Sequence, residues 1–188
     1  MTAETETFAI SPVAREAAGS IPREDLRELL AKGRYSCESR WMMAMVAAAG
    51  WEATNEANRQ VASDVGAGEM HRLMTLMGWD TPEGPDDFAL MALTAVELFL
   101  PRKYFGYEFT ELGEGKILGV VRSCLALTKV RSIGVAESYR CGCASMRSGW
   151  YRAMGIEVKE TLLECMLTGG EKCQVLIEPR GLSGDGVG

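Results

Sequence analysis

Apolar residues recur at helical spacing through most of the first hundred positions of the chain. The stretch 20–33 opens with Ser20, which can cap free amides, and carries leucines three and four positions apart. Further helices are predicted at 36–65, 70–77 and 88–100. Glycine or proline marks the expected end of most of these helices, so the front of the chain is predicted to be helical.

The period of the pattern changes to two after Pro101. Residues 104–112 alternate between aromatic and polar or small side chains, which is typical of a β-strand. After a turn, residues 116–121 are predicted to form the return strand of a first hairpin. Two helices are predicted next, at 122–133 and 143–154.

A second hairpin is predicted near the end of the chain. Its arms are residues 156–167 and 172–178, and the glycines of the segment 168–170 suit a tight turn. The order of elements predicts an α+β fold. In this fold, N-terminal helices pack with a small antiparallel sheet made of two β-hairpins that are separated by two helices.

The same patterns divide the chain into four parts. Residues 1–19 show no period and are expected to form a flexible lead-in, and the glycine-rich residues 181–188 a disordered tail. Between them lie a helical part, 20–101, and an α+β part, 102–180. We expect these two parts to form a single compact domain, because 188 residues suffice for one core.

Composition and charge limit the classes of partner. The formal net charge is −6 and the basic residues are scattered, so the chain lacks the positive surface that nucleic acid requires. The longest uncharged apolar run, 41–51, is too short to cross a bilayer. The N-terminus lacks the basic and apolar segments of a signal peptide. We therefore expect a cytoplasmic protein with neither a nucleic-acid nor a membrane partner.

Four of the six cysteines lie in the C-terminal part of the chain, at Cys141, Cys143, Cys165 and Cys173. Cytoplasmic thiols stay reduced, which leaves metal ligation, redox chemistry and plain burial as explanations. Cys165 and Cys173 would face each other if the second hairpin had a three-residue turn. Cys141 and Cys143 precede the helix that is expected to pack on this sheet. Four thiolates in a tetrahedral arrangement suit zinc.

Other titratable residues are weaker candidates for chemistry. Glu160 and Glu164 share a face of the predicted strand, so either could substitute for a missing metal ligand. His71 is the only histidine and is expected on a helix surface, and no nucleophile elbow accompanies it. Cys37 and Cys124 are assigned to burial as small apolar side chains.

The C-terminal part of the chain has a distinctive order of features. Gly149-Trp150-Tyr151 lies in a predicted helix that ends at Met154-Gly155, a strand runs from Glu160 to Cys165, and a glycine turn leads into Cys173. In this order the chain from about Arg140 onward resembles the 4-vinyl reductase-type domain, a small-molecule-binding α+β fold. The helical front is similar to bacterial and archaeal proteins with the same cysteine-rich ending.

The resemblance implies a metal. In phenol-sensing regulators of this family, three cysteines and a glutamate hold zinc. The match implies that Cys165, Cys173 and one of Cys141 and Cys143 do so here. The family's glutamate position is Leu162 in this chain, so the second cysteine of that pair or Glu164 would have to take its place.

We therefore expect a small-molecule-binding or sensory domain with a structural zinc site. Its partner would be a small apolar or aromatic molecule, and a homodimer could report binding. The expected pocket is lined by Trp41, Met45, Phe105, Phe109, Trp150 and Tyr151. Two alternatives stay open. One is a small metal- or thiol-dependent hydrolase, similar to L-2-amino-thiazoline-4-carboxylate hydrolases in its cysteine-rich C-terminal half. The other is an interaction protein with buried thiols.

Overall fold

The computed structural model of the chain describes residues 12–182. Residues 1–11 of the lead-in predicted at 1–19, and residues 183–188 of the tail predicted at 181–188, lie outside the described residues. Internal contacts divide the chain into two units, Met1–Trp41 and Met42–Gly188. The single domain with parts at 20–101 and 102–180 that the sequence patterns indicated stays a prediction.

The first unit contains a short helix and the beginning of a long one. Helix α1, Pro12–Gly19, occupies part of the stretch that was expected to be a flexible lead-in. Ser20 follows it and donates its hydroxyl to the carbonyl of Ala17 at 2.8 Å, which helps to end the helix. Helix α2 begins at Arg23, close to the predicted start.

The three helices predicted between residues 20 and 77 form one element, α2, Arg23–Met77. Gly50 is the single non-helical residue inside it, with φ 77° and ψ 173°, a backbone conformation that suits glycine alone. The glycine at position 66 does not end the helix as predicted. A Cβ there would lie 2.1 Å from the carbonyl oxygen of Met146, so this glycine lets a second helix approach.

The remaining elements follow the predicted order closely. Helix α3 covers Pro85–Phe99, and the first hairpin consists of β1, Phe105–Glu111, and β2, Ile117–Cys124. Two helices follow, α4, Leu125–Ser132, and α5, Cys143–Met154. The second hairpin consists of β3, Val158–Glu164, a 3-10 turn, Met166–Thr168, and β4, Cys173–Pro179.

The four strands form one antiparallel sheet in the order β1-β2-β4-β3. The predicted α+β fold with two hairpins separated by two helices is thus confirmed. The second turn differs from the prediction, because residues 165–172 with their 3-10 turn replace a three-residue loop. A bulge between Leu162 and Glu164 shifts the register, and Glu164 then pairs with Gln174.

Apolar side chains of the second unit collect in two clusters. The main core joins α2, α3, α5 and one face of the sheet, and Trp150, Phe88, Met70, Ile117 and Met154 are among its fully buried members. The small core consists of Leu127, Val130, Tyr139 and Met166. Cys124 and Cys173 pack against the small core, so this cluster borders the thiols.

Among residues 12–182, none of the helices combines the length and the apolar character that a bilayer crossing requires.

Candidate functional site

Five cysteines gather at one end of the sheet. Because neighbouring strands are antiparallel, the carboxyl ends of β2 and β3 lie beside the amino end of β4. Cys124 closes β2, Cys165 follows β3 and Cys173 opens β4. Helix α5 runs back along β3, since Arg147 contacts Glu160, and so its first turn lies toward the same end. We call Cys124, Cys141, Cys143, Cys165 and Cys173 the cysteine cluster.

The loop that carries Cys141 is held by helix α2. The side-chain amide of Asn55 donates to the carbonyl of Ser138 at 2.7 Å, and its oxygen accepts the amide N–H of Arg140 at 2.9 Å. Asn55 is itself buried, so both bonds are shielded from water. One asparagine therefore fixes the backbone immediately before Cys141.

The loop between Cys165 and Cys173 is held from two sides. The carboxylate of Glu164 accepts the amide N–H groups of Glu171 at 2.8 Å and Lys172 at 3.3 Å. From helix α4, the guanidinium of Arg131 donates to the carbonyl of Met166 at 2.6 Å. These contacts keep the two ends of the loop close together.

Cys141 and Cys143 form the first thiol pair. The amide N–H of Cys143 donates to Sγ of Cys141 at 3.4 Å, and the two thiols are hydrogen-bonded. The hydrogen bond from the Cys143 thiol lowers the pKa of Cys141 to about 6, with help from the charge of Arg147. The same bond and burial raise the pKa of Cys143 well above its usual value. Cys141, whose residue is exposed, is thus the nucleophilic member of the pair.

Cys165 and Cys173 form the second thiol pair. Their thiols are hydrogen-bonded, and Sγ of Cys173 also accepts the amide N–H of Met166 at 3.4 Å. Burial raises the pKa of Cys173 to about 11, and the neighbouring Cys165 adds to the shift. The structure therefore brings these two residues together, although the turn that joins them was predicted incorrectly.

The chemistry of the donors at the cysteine end suits a soft metal ion, because thiolates are the preferred ligands of such ions. Within residues 12–182, however, no three cysteine, histidine or acidic side chains are grouped closely enough to hold an ion as they stand. Leu162, at the family's glutamate position, is 62% exposed and offers no ligand atom. As the described residues stand, they form no metal site, and they do not reproduce the three-cysteine, one-glutamate site of the family that the C-terminal part resembles.

The two candidate substitute carboxylates are both engaged elsewhere. Glu164 binds the loop amides described above. Glu160 accepts two hydrogen bonds from the guanidinium of Arg147, at 2.6 and 2.8 Å, and one from the hydroxyl of Tyr151 at 2.7 Å. Moving either carboxylate to a metal would break these bonds.

The Arg147–Glu160–Tyr151 network is the second chemical feature of the site. The side chains of Arg147 and Glu160 are only 19% and 17% exposed, so the ion pair is largely shielded from water. Burial opposes the charge on Arg147, but the bonds to Glu160 outweigh it and raise its pKa. Burial also raises the pKa of Tyr151, which therefore stays a protonated donor.

A cavity of about 420 Å³ borders this network. Its wall consists of residues from α5, from the start of β3 and from the segment that joins them. Apolar and polar side chains both contribute: Ala144, Ser148, Tyr151, Arg152, Ile156, Glu157, Val158 and Glu160. Of these, Arg152 is paired with Asp64 and Glu157 with Arg180.

The six residues predicted to line a pocket are distributed differently. Tyr151 lines the cavity described above, and Trp150 lies in the main core, where its indole N–H donates to Glu69 at 3.1 Å. Phe105 and Phe109 pack against the same core. Met45 is half-buried, and Trp41 belongs to the first unit and is 55% exposed.

His71 and Cys37 are both exposed. Cys37 was expected to be buried, and its exposure corrects that assignment. Cys124 is partly buried as expected, but it also belongs to the cysteine cluster.

Sequence reasoning missed the residues that position this site. Asn55 acts across more than eighty positions of sequence, and nothing near it in the chain signals that contact. Arg147 lies four positions after Cys143, and this helical spacing was the one available signal that it faces the same region.

No protein-family model matches the sequence, and the comparison with curated proteins finds no significant match. Among solved structures, the chain is similar to a trafficking protein particle complex subunit 3 from Naegleria fowleri, covalently bound to palmitic acid. That pair shares 14% identity over 83% of this chain and 96% of the other, with a TM-score of 0.49.

Two structures of an H-NOX protein from S. oneidensis are also similar. The Fe(II) form shares 12% identity over 69% of this chain and 67% of the other, with a TM-score of 0.40. The Fe(II)NO form shares 13% identity over 65% of each chain, with a TM-score of 0.38. Similarity at this level assigns neither a family nor a function to the chain.

Proposed function

We propose that this chain is a small-molecule-binding domain whose site is the cavity beside Tyr151 and Glu160. The observation that carries the proposal is the shielded Arg147–Glu160–Tyr151 network at the cavity wall. Such a network holds polar atoms in fixed positions, as ligand orientation requires. The volume of about 420 Å³ falls within the range of roughly 300–1,000 Å³ that is typical of small-molecule sites.

The lining defines the class of ligand. Ala144, Ile156 and Val158 offer apolar surface, while the Ser148 hydroxyl and the Glu160 carboxylate offer polar contacts. A matching ligand has an apolar or aromatic body with one hydroxyl or amine group that donates to the carboxylate. This class fits the ligands that the resemblance to phenol-sensing regulators implies.

The test uses phenol and aniline as probes and toluene as the comparison without a donor group. We expect phenol or aniline to shift the backbone NMR signals of residues 144–160 in isotope-labelled protein, and toluene to bind more weakly. Ser148→Trp should fill the cavity and abolish the shifts. Leu98→Trp, on the exposed side of α3, should leave them unchanged. Equal binding to both variants, or shifts confined to another region, would contradict the proposal.

We further propose that zinc joins the two thiol pairs and acts as a structural clamp. Cys141 and Cys143 come from the start of α5, and Cys165 and Cys173 from the second hairpin, so one ion would tie these elements together. Four thiolate ligands leave no open position on a tetrahedral ion, which favours a structural role over a catalytic one. The six free thiols fit a reducing compartment, and we propose that the protein works in the cytoplasm.

Elemental analysis of protein purified without added metal tests the clamp. We expect about one zinc per chain and a lower melting temperature after chelation. Protein that contains no zinc, and whose melting temperature a chelator does not change, would contradict it.

A thiol-dependent hydrolase is the second candidate function, and the position of Cys141 favours it. Cys141 is exposed, precedes the N-terminus of α5, and lies near the positive charge of Arg147. p-Nitrophenyl acetate is a direct probe, because attack by the thiolate would transfer the acetyl group to sulfur and release p-nitrophenolate. We expect a burst that Cys141→Ser removes and Cys37→Ser retains. A burst equal in both variants would assign the reaction to another residue.

A further inference from the structure

The first unit of the chain carries apolar side chains but buries none of those that the structure describes. Each of the residues 12–41 is partly or fully exposed. Helix α1 has eight residues and no buried position, and isolated helices shorter than about 12–15 residues are marginal in water. The described part of this unit therefore lacks a core of its own, and its helices need a further surface to pack against.

The exposed apolar side chains of this unit follow one face of helix α2. They recur every three or four positions, which is the spacing of a continuous helical stripe. We call these residues the α2 stripe: Leu26, Leu29, Leu30, Gly33, Cys37 and Trp41. Leu29, Leu30 and Trp41 are each more than half exposed. A run of open apolar side chains along one helix face is typical of a protein–protein interface.

Gly33 lies in the middle of the α2 stripe. A glycine inside a helix destabilises it relative to alanine, so such a position usually has a packing reason. Gly66 and Gly149 have that reason within the chain, since a Cβ at either would lie 2.1 or 2.0 Å from a carbonyl oxygen of the crossing helix. A Cβ at Gly33 would meet no atom within 4 Å. Gly33 thus leaves space that the described part of its own chain does not fill, and this space suits the close approach of a helix from another molecule.

The charges beside the α2 stripe favour a second copy of the chain in the antiparallel direction. Glu24 and Asp25 lie at the start of the helix, and Arg40 lies near the far end of the stripe. The helical repeat puts Asp25 and Arg40 on the same side of the stripe. An antiparallel copy brings the acids of each chain close to the partner's Arg40 at both ends, whereas a parallel copy sets two arginines against each other. Opposite charges at the rim fix the orientation of an interface.

We propose that the α2 stripe is the interface of a homodimer in which two copies of the helix pack antiparallel around Gly33. In this arrangement Leu26 lies opposite the partner's Trp41, and Leu30 lies opposite the partner's Cys37. The apolar side chains of each copy then cover those of the other. Because both chains use the same surface, the assembly closes at two copies. This interface is independent of the cavity and of the thiol pairs.

The experiment is analytical ultracentrifugation of the full chain over a series of concentrations. We expect wild-type protein to form a dimer at high micromolar concentration. Leu30→Glu places a charge inside the interface and should raise the dissociation constant about 100-fold or more. Ser39→Glu adds the same charge on the side of α2 away from the stripe and should stay within about twofold of wild type. Both positions are exposed in the single chain, so thermal unfolding should show that both variants fold.

Disulfide trapping with diamide tests the direction of the two helices. Gly33→Cys in a Cys37→Ser background places two thiols beside the two-fold axis and should give a covalent dimer. The two copies of Cys37 in wild-type protein lie about 10 Å apart along an antiparallel pair, which is too far for a disulfide. Wild-type protein and the Cys37→Ser variant alone should therefore show the same low level of cross-linking. A cross-link that depends on Cys37 would indicate a parallel pair and overturn the arrangement.

An exchange of charges tests the contact at the two ends of the interface. Arg40→Asp should weaken the dimer about 10-fold, because it sets like charges against each other at both ends. Adding Asp25→Arg to the same chain should restore most of the lost affinity. A double variant that binds more weakly than Arg40→Asp alone would show that these residues do not meet, which contradicts the antiparallel register.

Two results of the ultracentrifugation would overturn the interface itself. Wild-type protein that stays monomeric at every concentration would show that a second copy does not cover the α2 stripe. A dimer that Leu30→Glu leaves as strong as Ser39→Glu does would show that the chains associate through another surface.

Discussion

The main core and the small core of the second unit differ in size and in the residues at their borders. The main core encloses large side chains such as Trp150 and Phe88, and several of its members are fully buried. The small core buries Leu127, Val130, Tyr139 and Met166 and is completed by thiols at its border. Close packing of large groups gives stability. The largest buried side chains thus lie in the main core, whereas the thiols of Cys124 and Cys173 border the small one.

Trp150→Ala should produce the largest loss of stability. Trp150 is 1% exposed, packs in the main core and donates a hydrogen bond to the buried Glu69, so its removal leaves a cavity and a changed polar contact. We expect the free energy of unfolding to fall by about 3–5 kcal/mol in urea denaturation. Leu98→Ala, on an exposed position, should change it by less than about 0.5 kcal/mol. Similar losses for both variants would show that the main core does not dominate stability.

Met166→Ala should lower the free energy of unfolding by less, roughly 2–3 kcal/mol, because fewer large side chains pack around Met166 in the small core. It should also increase the reactivity of Cys173, whose thiol accepts the amide N–H of residue 166. Urea denaturation and thiol titration of the metal-free protein measure the two effects. Leu163→Ala, on an exposed neighbouring position, is the control. An unchanged thiol titration would separate the small core from the cysteine cluster.

Glu160→Gln should lower the free energy of unfolding by about 1–3 kcal/mol, because Arg147 would lose its charged partner in a position that is largely shielded from water. Glu157→Gln breaks an exposed pair with Arg180 and should cost no more than about 0.5 kcal/mol. Thermal unfolding of the two variants under the same salt conditions compares them. Equal losses of stability would mean that the Arg147–Glu160–Tyr151 network stabilises the protein no more than an exposed ion pair does.

Cys143→Ala should change reactivity more than stability. In metal-free protein, we expect alkylation of Cys141 by iodoacetamide to reach half its maximal rate near pH 6, because its pKa is about 6. Below that pH the thiolate gains a proton and the rate falls. Removing the thiol of Cys143, the main cause of the shift, should move the midpoint to higher pH. Mass spectrometry of the alkylated peptide, in a Cys37→Ser background, gives the profile, and an unmoved midpoint would refute the assigned cause.

Residues close together in the sequence were enough to predict the helices and strands, whereas contacts between distant residues were not predicted. The start of α5 at Cys143 and its end at Gly155 follow from neighbouring residues, and Gly155 has the positive φ of 73° that closes helices. The turn after β3 was predicted wrongly, because the 3-10 turn and the bulge beside Glu164 depend on amide contacts that spacing does not reveal. The metal ligands stay a prediction.

Glycines illustrate the same limit. Gly66 was predicted to break a helix, since sequence alone shows only the missing side chain. The structure gives it a packing reason, because the backbone of α5 occupies the space that a side chain would need. Whether a glycine ends a helix or lets a second helix approach depends on the packing partner, which for Gly66 is Met146, far along the chain.

The crossing of α2 and α5 has a consequence for tracing the ancestry of this architecture. A Cβ at Gly149 would lie 2.0 Å from the carbonyl oxygen of Ser63, just as one at Gly66 would meet the backbone of Met146. Each helix therefore places a bare backbone against the other, and neither position can accept even a methyl group without moving a main chain. We therefore expect related proteins that keep this crossing to keep both glycines, even where the rest of the sequence differs. Glycines at the positions of Gly66 and Gly149, the second followed directly by a large aromatic residue such as Trp150, are the sequence signature that we expect in such proteins.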